Sequence, residues 1–129
     1  MERPDFEKLE VYQLAEKLAD EIWYIAIEWD LFAKETMGKQ IVRAADSISA
    51  NIAEGKGRYN YQDNRRFVRI ARGSLNETRN WLRRAYTRQI LTAEQVKKLK
   101  PIIDDLSPKL NAYLKYLDNA VKQKPKNHN

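Results

Sequence analysis

The arginines between residues 58 and 88 are the side chains of this sequence best suited to bind a charged partner. This stretch holds nine arginines against Asp63 and Glu77, a net charge of +7 in a chain whose total is +6. Guanidinium groups are weakly hydrated and form paired hydrogen bonds with phosphate or carboxylate groups. The stretch therefore predicts an anionic partner, either nucleic acid or an acidic protein surface.

On a helix over residues 61–88, most of these arginines share one face. At about 100° per residue, six side chains fall within about 80° of one another: Arg65, Arg69, Arg72, Asn76, Arg79 and Arg83. The opposite side is predicted to face a core, with Phe67, Ile70, Ala71, Ser74, Thr78, Trp81, Leu82 and Ala85.

Three interpretations of this basic face remain open. It contacts a phosphate backbone, it contacts an acidic protein surface, or it is a solvated face without a partner. One available acidic surface belongs to a neighbouring copy, because residues 1–35 carry ten acidic and only four basic side chains.

Catalytic and metal-binding chemistry has little support in the sequence. The single histidine, His128, lies in a polar tail. Ser47, Ser49 and Ser74 therefore have no histidine partner that would activate them as nucleophiles. The paired Glu-x-x-His motifs of metal-binding bundles are absent, and so is cysteine. We expect no enzymatic activity, no metal site and no cofactor.

Two further patterns resemble ligand sites but have simpler explanations. Asp104 and Asp105 are adjacent, so on a helix they diverge by about 100° and cannot hold one ion together. The run Gly55-Lys56-Gly57-Arg58 lacks the spacing of a phosphate-binding loop and follows no strand. It predicts a helix end at which glycine adopts the left-handed conformation.

The composition indicates one all-α domain. The chain has 129 residues, 43% of them hydrophobic, with four glycines and four prolines. No apolar run approaches the roughly 20 residues of a membrane span. The charged N-terminus is unlike a signal peptide, so we expect a cytoplasmic protein.

Four amphipathic segments predict an antiparallel, up-down-up-down four-helix bundle over residues 1–122, followed by a disordered polar tail over residues 123–129. The first helix starts near residue 10 and the second spans about residues 35–54. Asn60 caps the third, and a Thr92–Gln95 capping box opens the fourth. Pro101 and Pro108 predict a kink or short break in that last helix.

The other three helices each carry one apolar stripe. The stripe of helix 1 is Val11, Leu14, Ala15, Leu18, Ile22, Ile25 and Trp29. The stripe of helix 2 is Met37, Ile41, Ala44, Ala45, Ile48 and Ile52. The stripe of helix 4 is Val96, Leu99, Ile103, Leu106, Leu110, Tyr113, Leu114, Leu117 and Val121.

Three segments together resemble one bacterial family. Residues 40–58 (QIVRAADSISANIAEGKGR) and residues 67–77 (FVRIARGSLNE) are similar to the two signatures of the "four helix bundle protein" family. Residues 6–15 (FEKLEVYQLA) resemble its opening. The family is also called the intervening-sequence protein family, because some members are encoded inside insertions in the large-subunit ribosomal RNA gene.

The resemblance implies an antiparallel bundle that assembles into a ring, usually a homopentamer, without known enzymatic activity. A related branch comprises accessory proteins of diversity-generating retroelements, basic rings that bind a reverse transcriptase and nucleic acid. The motif positions carried over are Arg43, Asn51, Glu54, Gly55, Arg58, Arg72, Gly73, Ser74 and Glu77.

The residue types at these motif positions are mainly structural. Arg43, Glu54, Arg72 and Glu77 form a candidate charge set linking helices 2 and 3. Asn51 is placed to bond backbone at the helix end, and Gly73 and Ser74 are small enough for close helix approach.

The chain departs from the family pattern at several positions. Ala33 and Ser49 stand where proline is common, Asn64 replaces an apolar residue, and Gln89-Ile90 replaces Gly-Tyr.

The sequence as a whole predicts a ring-forming bundle that binds RNA or DNA through Arg65, Arg69, Arg79 and Arg83, with a reverse transcriptase as a candidate partner. The alternative is a scaffolding ring whose basic face meets only protein.

Overall fold

Four long helices make up the fold, and the computed structural model describes residues 5–123. After a short 3-10 turn (Asp5–Lys8) come α1 (Glu10–Ala26), α2 (Lys39–Lys56), α3 (Tyr61–Thr87) and α4 (Ala93–Lys122). No strand occurs within residues 5–123. The all-α, four-helix prediction is confirmed. Of the predicted tail, only Gln123 falls within the described residues.

The connection between α1 and α2 differs from the prediction. α1 ends at Ala26 instead of continuing to Trp29, and Asp30 starts a new helical segment by accepting a hydrogen bond from the Ala33 amide at 2.9 Å. This segment passes through a helical turn (Leu31–Ala33) and a π-helical turn (Lys34–Gly38) into α2. An aspartate N-cap satisfies amides that would otherwise be orphaned, which explains the early start.

Each long helix contacts two others around the core. α1 packs against α2 and α4, and α3 packs against the same two helices. The largest fully buried side chains are Leu18, Ile22, Ile41, Ile48, Ile52, Val68, Leu75, Thr78, Leu99, Leu106, Leu110 and Leu117. Each buried leucine or isoleucine contributes about 1.5–3 kcal/mol to folding.

The buried face of α3 is rotated relative to the prediction. Val68 and Leu75 are fully buried although they were not expected to be, whereas Ile70 is 44% exposed. Phe67 and Trp81 are only partly buried. Phe67, Ile70 and Trp81 are large apolar side chains at the edge of the buried face. They moved the centre of the predicted apolar stripe away from Val68 and Leu75.

The two prolines of α4 do not interrupt the helix, so the predicted break is wrong. α4 runs from Ala93 to Lys122 through Pro101 and Pro108. Both prolines are exposed, as are Lys97 and Asp104 four residues earlier. The carbonyl groups that proline leaves without a donor are therefore on the outer side, where water can bond them.

Both predicted N-caps are confirmed. The Asn60 side chain accepts a hydrogen bond from the Asp63 amide at 2.8 Å. Thr92 and Gln95 bond each other's backbone amides at 3.1 and 2.9 Å, which completes the capping box.

The helix end predicted at residues 55–57 is confirmed, since α2 ends at Lys56, but the left-handed glycine predicted there is wrong. The helix continues through Gly55 to Lys56, and Gly57 has a right-handed φ of −80°. Gly55 is buried against α3 instead. A Cβ atom built there would lie 2.6 Å from Asn64 Oδ1 and 3.0 Å from Phe67 Cβ. The role of this glycine is therefore close helix packing.

Candidate nucleic-acid interface

The four arginines predicted to bind nucleic acid lie along the α4 side of α3 and form two pairs. Arg65 and Arg69 both contact Asp118 of α4, at 3.3 and 3.4 Å. The Arg65 side chain is 21% exposed, so it is partly withdrawn from solvent. The face expected to lie opposite the core is thus in contact with a neighbouring helix at this end, and one carboxylate offsets part of its charge.

The second pair, Arg79 and Arg83, remains exposed and makes no ion pair within the described residues. Both line a shallow groove between α3 and α4 of about 330 Å³. Apolar side chains form much of this α3–α4 groove, whose lining includes Leu82, Leu91, Val96, Leu99 and Ile103. The arginines at its rim can therefore serve either an anion or an amphipathic partner.

Only part of the expected charge set links α2 and α3. Arg43 pairs with Glu77 across the two helices. Glu54 pairs instead with Arg58 at the end of its own helix, at 2.7 Å. Arg72 is exposed and has no ion-pair partner in residues 5–123. It therefore extends the unpaired basic surface of Arg79 and Arg83 along α3.

Of the small and polar motif residues, Ser74 packs the α2–α3 contact and Asn51 bonds within α2. The buried Ser74 donates to Ser47 Oγ at 2.9 Å. The Asn51 amide bonds the Ser47 carbonyl at 2.8 Å, one turn earlier in its own helix. Gly73, by contrast, is exposed and has no atom within 4 Å of a built Cβ. The prediction that Gly73 permits close helix approach is wrong.

Two guanidinium groups lie over one aromatic ring at the α2–α3 junction. Arg58 and Arg66 lie 4.7 and 4.6 Å from the ring centre of Phe67. Such cation–π contacts hold the charges in place while both arginines stay exposed. Sequence reasoning missed Arg66 because it lies off the predicted basic face, although its position next to Phe67 was a usable signal.

A cavity of about 650 Å³ opens at the same end of the molecule. Its lining is Tyr59, Asn60, Tyr61, Gln62, Tyr116, Asn119, Ala120, Val121 and Gln123, and we call it the tyrosine cavity. A hydrogen bond with the Tyr61 hydroxyl group raises the pKa of Tyr116 above its ordinary value. The sequence does not reveal this site, because its residues come from the start of α3 and the end of α4, which are far apart along the chain.

An exposed apolar patch occupies the other end of the molecule. It consists of Trp23, Tyr24, Ile27, Leu31 and Phe32, with Leu31 and Phe32 exposed by 72% and 79%. We call it the α1–α2 patch. Several large apolar side chains exposed within residues 23–32 favour a protein contact site in this region.

Within the described residues there is neither a candidate metal site nor a membrane-spanning helix. No group of three or more histidine, cysteine, aspartate or glutamate side chains in residues 5–123 could hold a metal ion. No helix in that part of the chain has the length and apolarity required to cross a membrane.

These observations define the class of protein: a small helical bundle with one strongly basic helix. The chain belongs to the 23S rRNA-intervening sequence protein family, whose family model matches residues 7–112. It is similar to a crystal structure of a protein with unknown function from the S23 ribosomal protein family of Bacteroides thetaiotaomicron. That similarity has 25% identity and a TM-score of 0.72, and covers 81% of this chain and 98% of the other. Comparison with curated proteins gave no significant match.

Proposed function

We propose that this protein is a non-enzymatic, cytoplasmic ring of identical subunits that binds RNA or DNA without sequence preference. The observation that carries the proposal is the run of exposed arginines without ion pairs, Arg72, Arg79 and Arg83, along α3. Surfaces that are merely solvated usually mix charge signs. Unpaired guanidinium groups on one side of a helix instead suit a phosphate backbone.

The proposal includes an antiparallel, up-down-up-down bundle. Ion pairs join Glu10 to Lys109 and Glu21 to Lys98, at 3.3 and 3.4 Å. The early part of α1 thus lies beside the later part of α4, which supports opposite directions. Short connections between successive helices support the same arrangement for the whole bundle.

The ring is proposed to be a homopentamer. Its support is the family to which the chain belongs, together with the exposed α1–α2 patch, which a subunit contact would cover. The family's resemblance to retroelement accessory proteins makes a reverse transcriptase the first protein partner to test.

A salt titration tests nucleic-acid binding. Fluorescence anisotropy with mixed-sequence RNA or DNA is expected to show affinity that falls steeply with salt, with a logarithmic slope of roughly −0.7 to −0.9 per phosphate contacted. The double variant Arg79→Glu/Arg83→Glu is expected to weaken binding to every sequence alike while staying folded. The control Lys17→Glu/Lys97→Glu makes the same change in charge at exposed positions elsewhere. No binding by the intact wild-type ring at physiological salt would exclude the proposal.

The second candidate function is a scaffolding ring without nucleic-acid binding, and the α3–α4 groove favours it. The groove combines an apolar floor with Arg79 and Arg83, and the α1–α2 patch of another copy combines apolar side chains with the acidic Glu28 and Asp30. The two surfaces are complementary in polarity and charge. In this case Arg79→Glu/Arg83→Glu breaks the ring, and sizing that variant separates the two functions.

A further inference from the structure

We propose that the tyrosine cavity binds an unpaired base of single-stranded nucleic acid. The proposal rests on the proposed function for its ligand class but concerns a separate site. The cavity lies where α3 begins and α4 ends, whereas Arg79 and Arg83 lie toward the other end of α3.

Flat aromatic faces are available at this site. Tyr59 is fully exposed, and Tyr61 and Tyr116 are exposed by 50% and 55%. Tyr61 meets Tyr116 edge to face, with ring centres 6.2 Å apart, and Tyr113 stacks against Tyr116 at 6.3 Å. Contacts with neighbouring rings hold Tyr61 and Tyr116 in place, while the exposed parts of their surfaces can stack on a planar ligand.

The polar part of the lining suits the edge of a base. Gln62, Asn119 and Gln123 contribute carboxamide groups whose side chains make no hydrogen bond within residues 5–123. A carboxamide offers both a donor and an acceptor, the combination that base edges present. The lining contains no aspartate, glutamate, lysine or arginine, so it favours a neutral planar group with polar edges.

Basic residues beside the cavity supply a path for the backbone. Arg58 precedes Tyr59 directly, and Arg66 follows Gln62 by one helical turn, about 6 Å along α3. Both guanidinium groups are exposed and held against Phe67. A strand with one base in the cavity can therefore place a neighbouring phosphate near Arg66. Duplex bases are already paired and stacked, so the site predicts a preference for single strands.

The test compares a labelled single-stranded oligonucleotide with the blunt-ended duplex that this strand forms with its complement, using the full chain at one salt concentration. Tyr59→Ala and Tyr116→Ala are each expected to weaken single-strand binding about tenfold, while duplex binding is unchanged. Tyr116→Phe keeps the ring and is expected to retain single-strand affinity. Asn111→Ala, at an exposed position of α4 outside the surfaces proposed to bind, is the control, and thermal melting verifies that each variant is folded.

The outcomes separate this inference from the proposed function. Unchanged single-strand affinity in both alanine variants, or equal losses for single strand and duplex, overturns the base site and leaves the arginine surface standing. Tyrosine-dependent binding that Arg79→Glu/Arg83→Glu does not affect supports the base site and overturns the arginine surface. Wild-type protein that binds neither oligonucleotide overturns both. A tyrosine effect on the mass of the assembly alone identifies a protein contact instead and also overturns the base site.

Discussion

Gln89 has a backbone conformation that is unfavourable for a residue with a side chain. Its φ is +65°, and among residues 5–123 no other non-glycine residue has a positive φ. Its amide bonds the Tyr86 carbonyl at 3.0 Å, and the Ile90 amide bonds the Ala85 carbonyl at 3.0 Å. This is the Schellman pattern that ends many helices, in which the left-handed position favours glycine. The family resemblance also places glycine here.

Replacing Gln89 with glycine is therefore expected to stabilise the protein. Gln89→Gly removes the steric cost of a left-handed side chain, about 0.5–1 kcal/mol net of the added flexibility of the unfolded chain. The melting temperature is expected to rise by about 2–5 °C. Arg88→Gly is the matched control, because Arg88 has a φ of −84° and gains nothing from glycine. A rise for both variants, or for neither, would contradict this explanation.

We expect Asp46 to make the stability depend on pH. Partial burial, and to a smaller degree the charge of Asp20, raise the pKa of Asp46 above its ordinary value. The folded state therefore binds this proton more tightly than the unfolded state does. Ionised Asp46 opposes folding above its folded pKa, and this penalty disappears as the pH falls below the ordinary aspartate value.

Asp46→Asn is consequently expected to raise the melting temperature at pH 7 and to leave it unchanged near pH 3. Melting curves at both pH values check this, with Asp63→Asn as the comparison. An equal effect of Asp46→Asn at both pH values would show that the removed charge is not the cause.

At the scale of helices, the sequence predicted what depends on local pattern. The four segments, the Asn60 cap and the Thr92–Gln95 box follow from side chains within a few residues of each other, and all are confirmed. The rotation of α3 could not be predicted in this way, because its buried face is decided by contacts with two other helices.

Partners across helices were harder to predict for the same reason. Asp118 lies 53 residues from Arg65 along the chain, and no spacing rule connects them. Asn64 was noted as a departure from an apolar position, and the structure buries it with its amide 3.3 Å from the Tyr113 hydroxyl. Its Oδ1 is buried without a hydrogen-bond partner in the described chain, beside the Cα of Gly55.

The ion pairs of Asp118 with Arg65 and Arg69 are expected to stabilise the fold but to weaken nucleic-acid binding. Asp118→Ala removes the shared partner of Arg65 and Arg69 and is expected to cost about 1 kcal/mol, because these groups are partly exposed. The same change frees two guanidinium groups, so nucleic-acid affinity is expected to rise and the salt slope to steepen by about 1–2. Chemical denaturation and anisotropy on the same sample measure both effects.

Arg72→Ala is the control for this coupling. Arg72 has no ion pair in the described chain, so its loss is expected to change stability by less than about 0.5 kcal/mol and to weaken binding. If Asp118→Ala lowered both stability and affinity, Asp118 would be a support for the binding surface and not a competitor for its arginines.

For the whole molecule, the arrangement of two surfaces favours a closed assembly. The α1–α2 patch is formed by the end of α1 and the segment that leads into α2, whereas the α3–α4 groove is formed by the other two helices. The ion pair between Glu21 and Lys98 places them at a similar height along the bundle. Two unlike surfaces on different helices can join copies head to tail, and such contacts form a ring when the rotation closes.

Light scattering coupled to size exclusion at moderate salt is therefore expected to give about five times the 15.2 kDa subunit mass. Phe32→Glu places a charge in the exposed α1–α2 patch and is expected to yield folded monomers, because Phe32 contributes little to the subunit core. Ala112→Glu adds the same charge at an exposed position of α4 and is expected to leave the assembly intact. If wild-type protein were monomeric across micromolar concentrations, the ring would be excluded. If Phe32→Glu remained a pentamer, the ring would stand, but its contact would have to lie outside the α1–α2 patch.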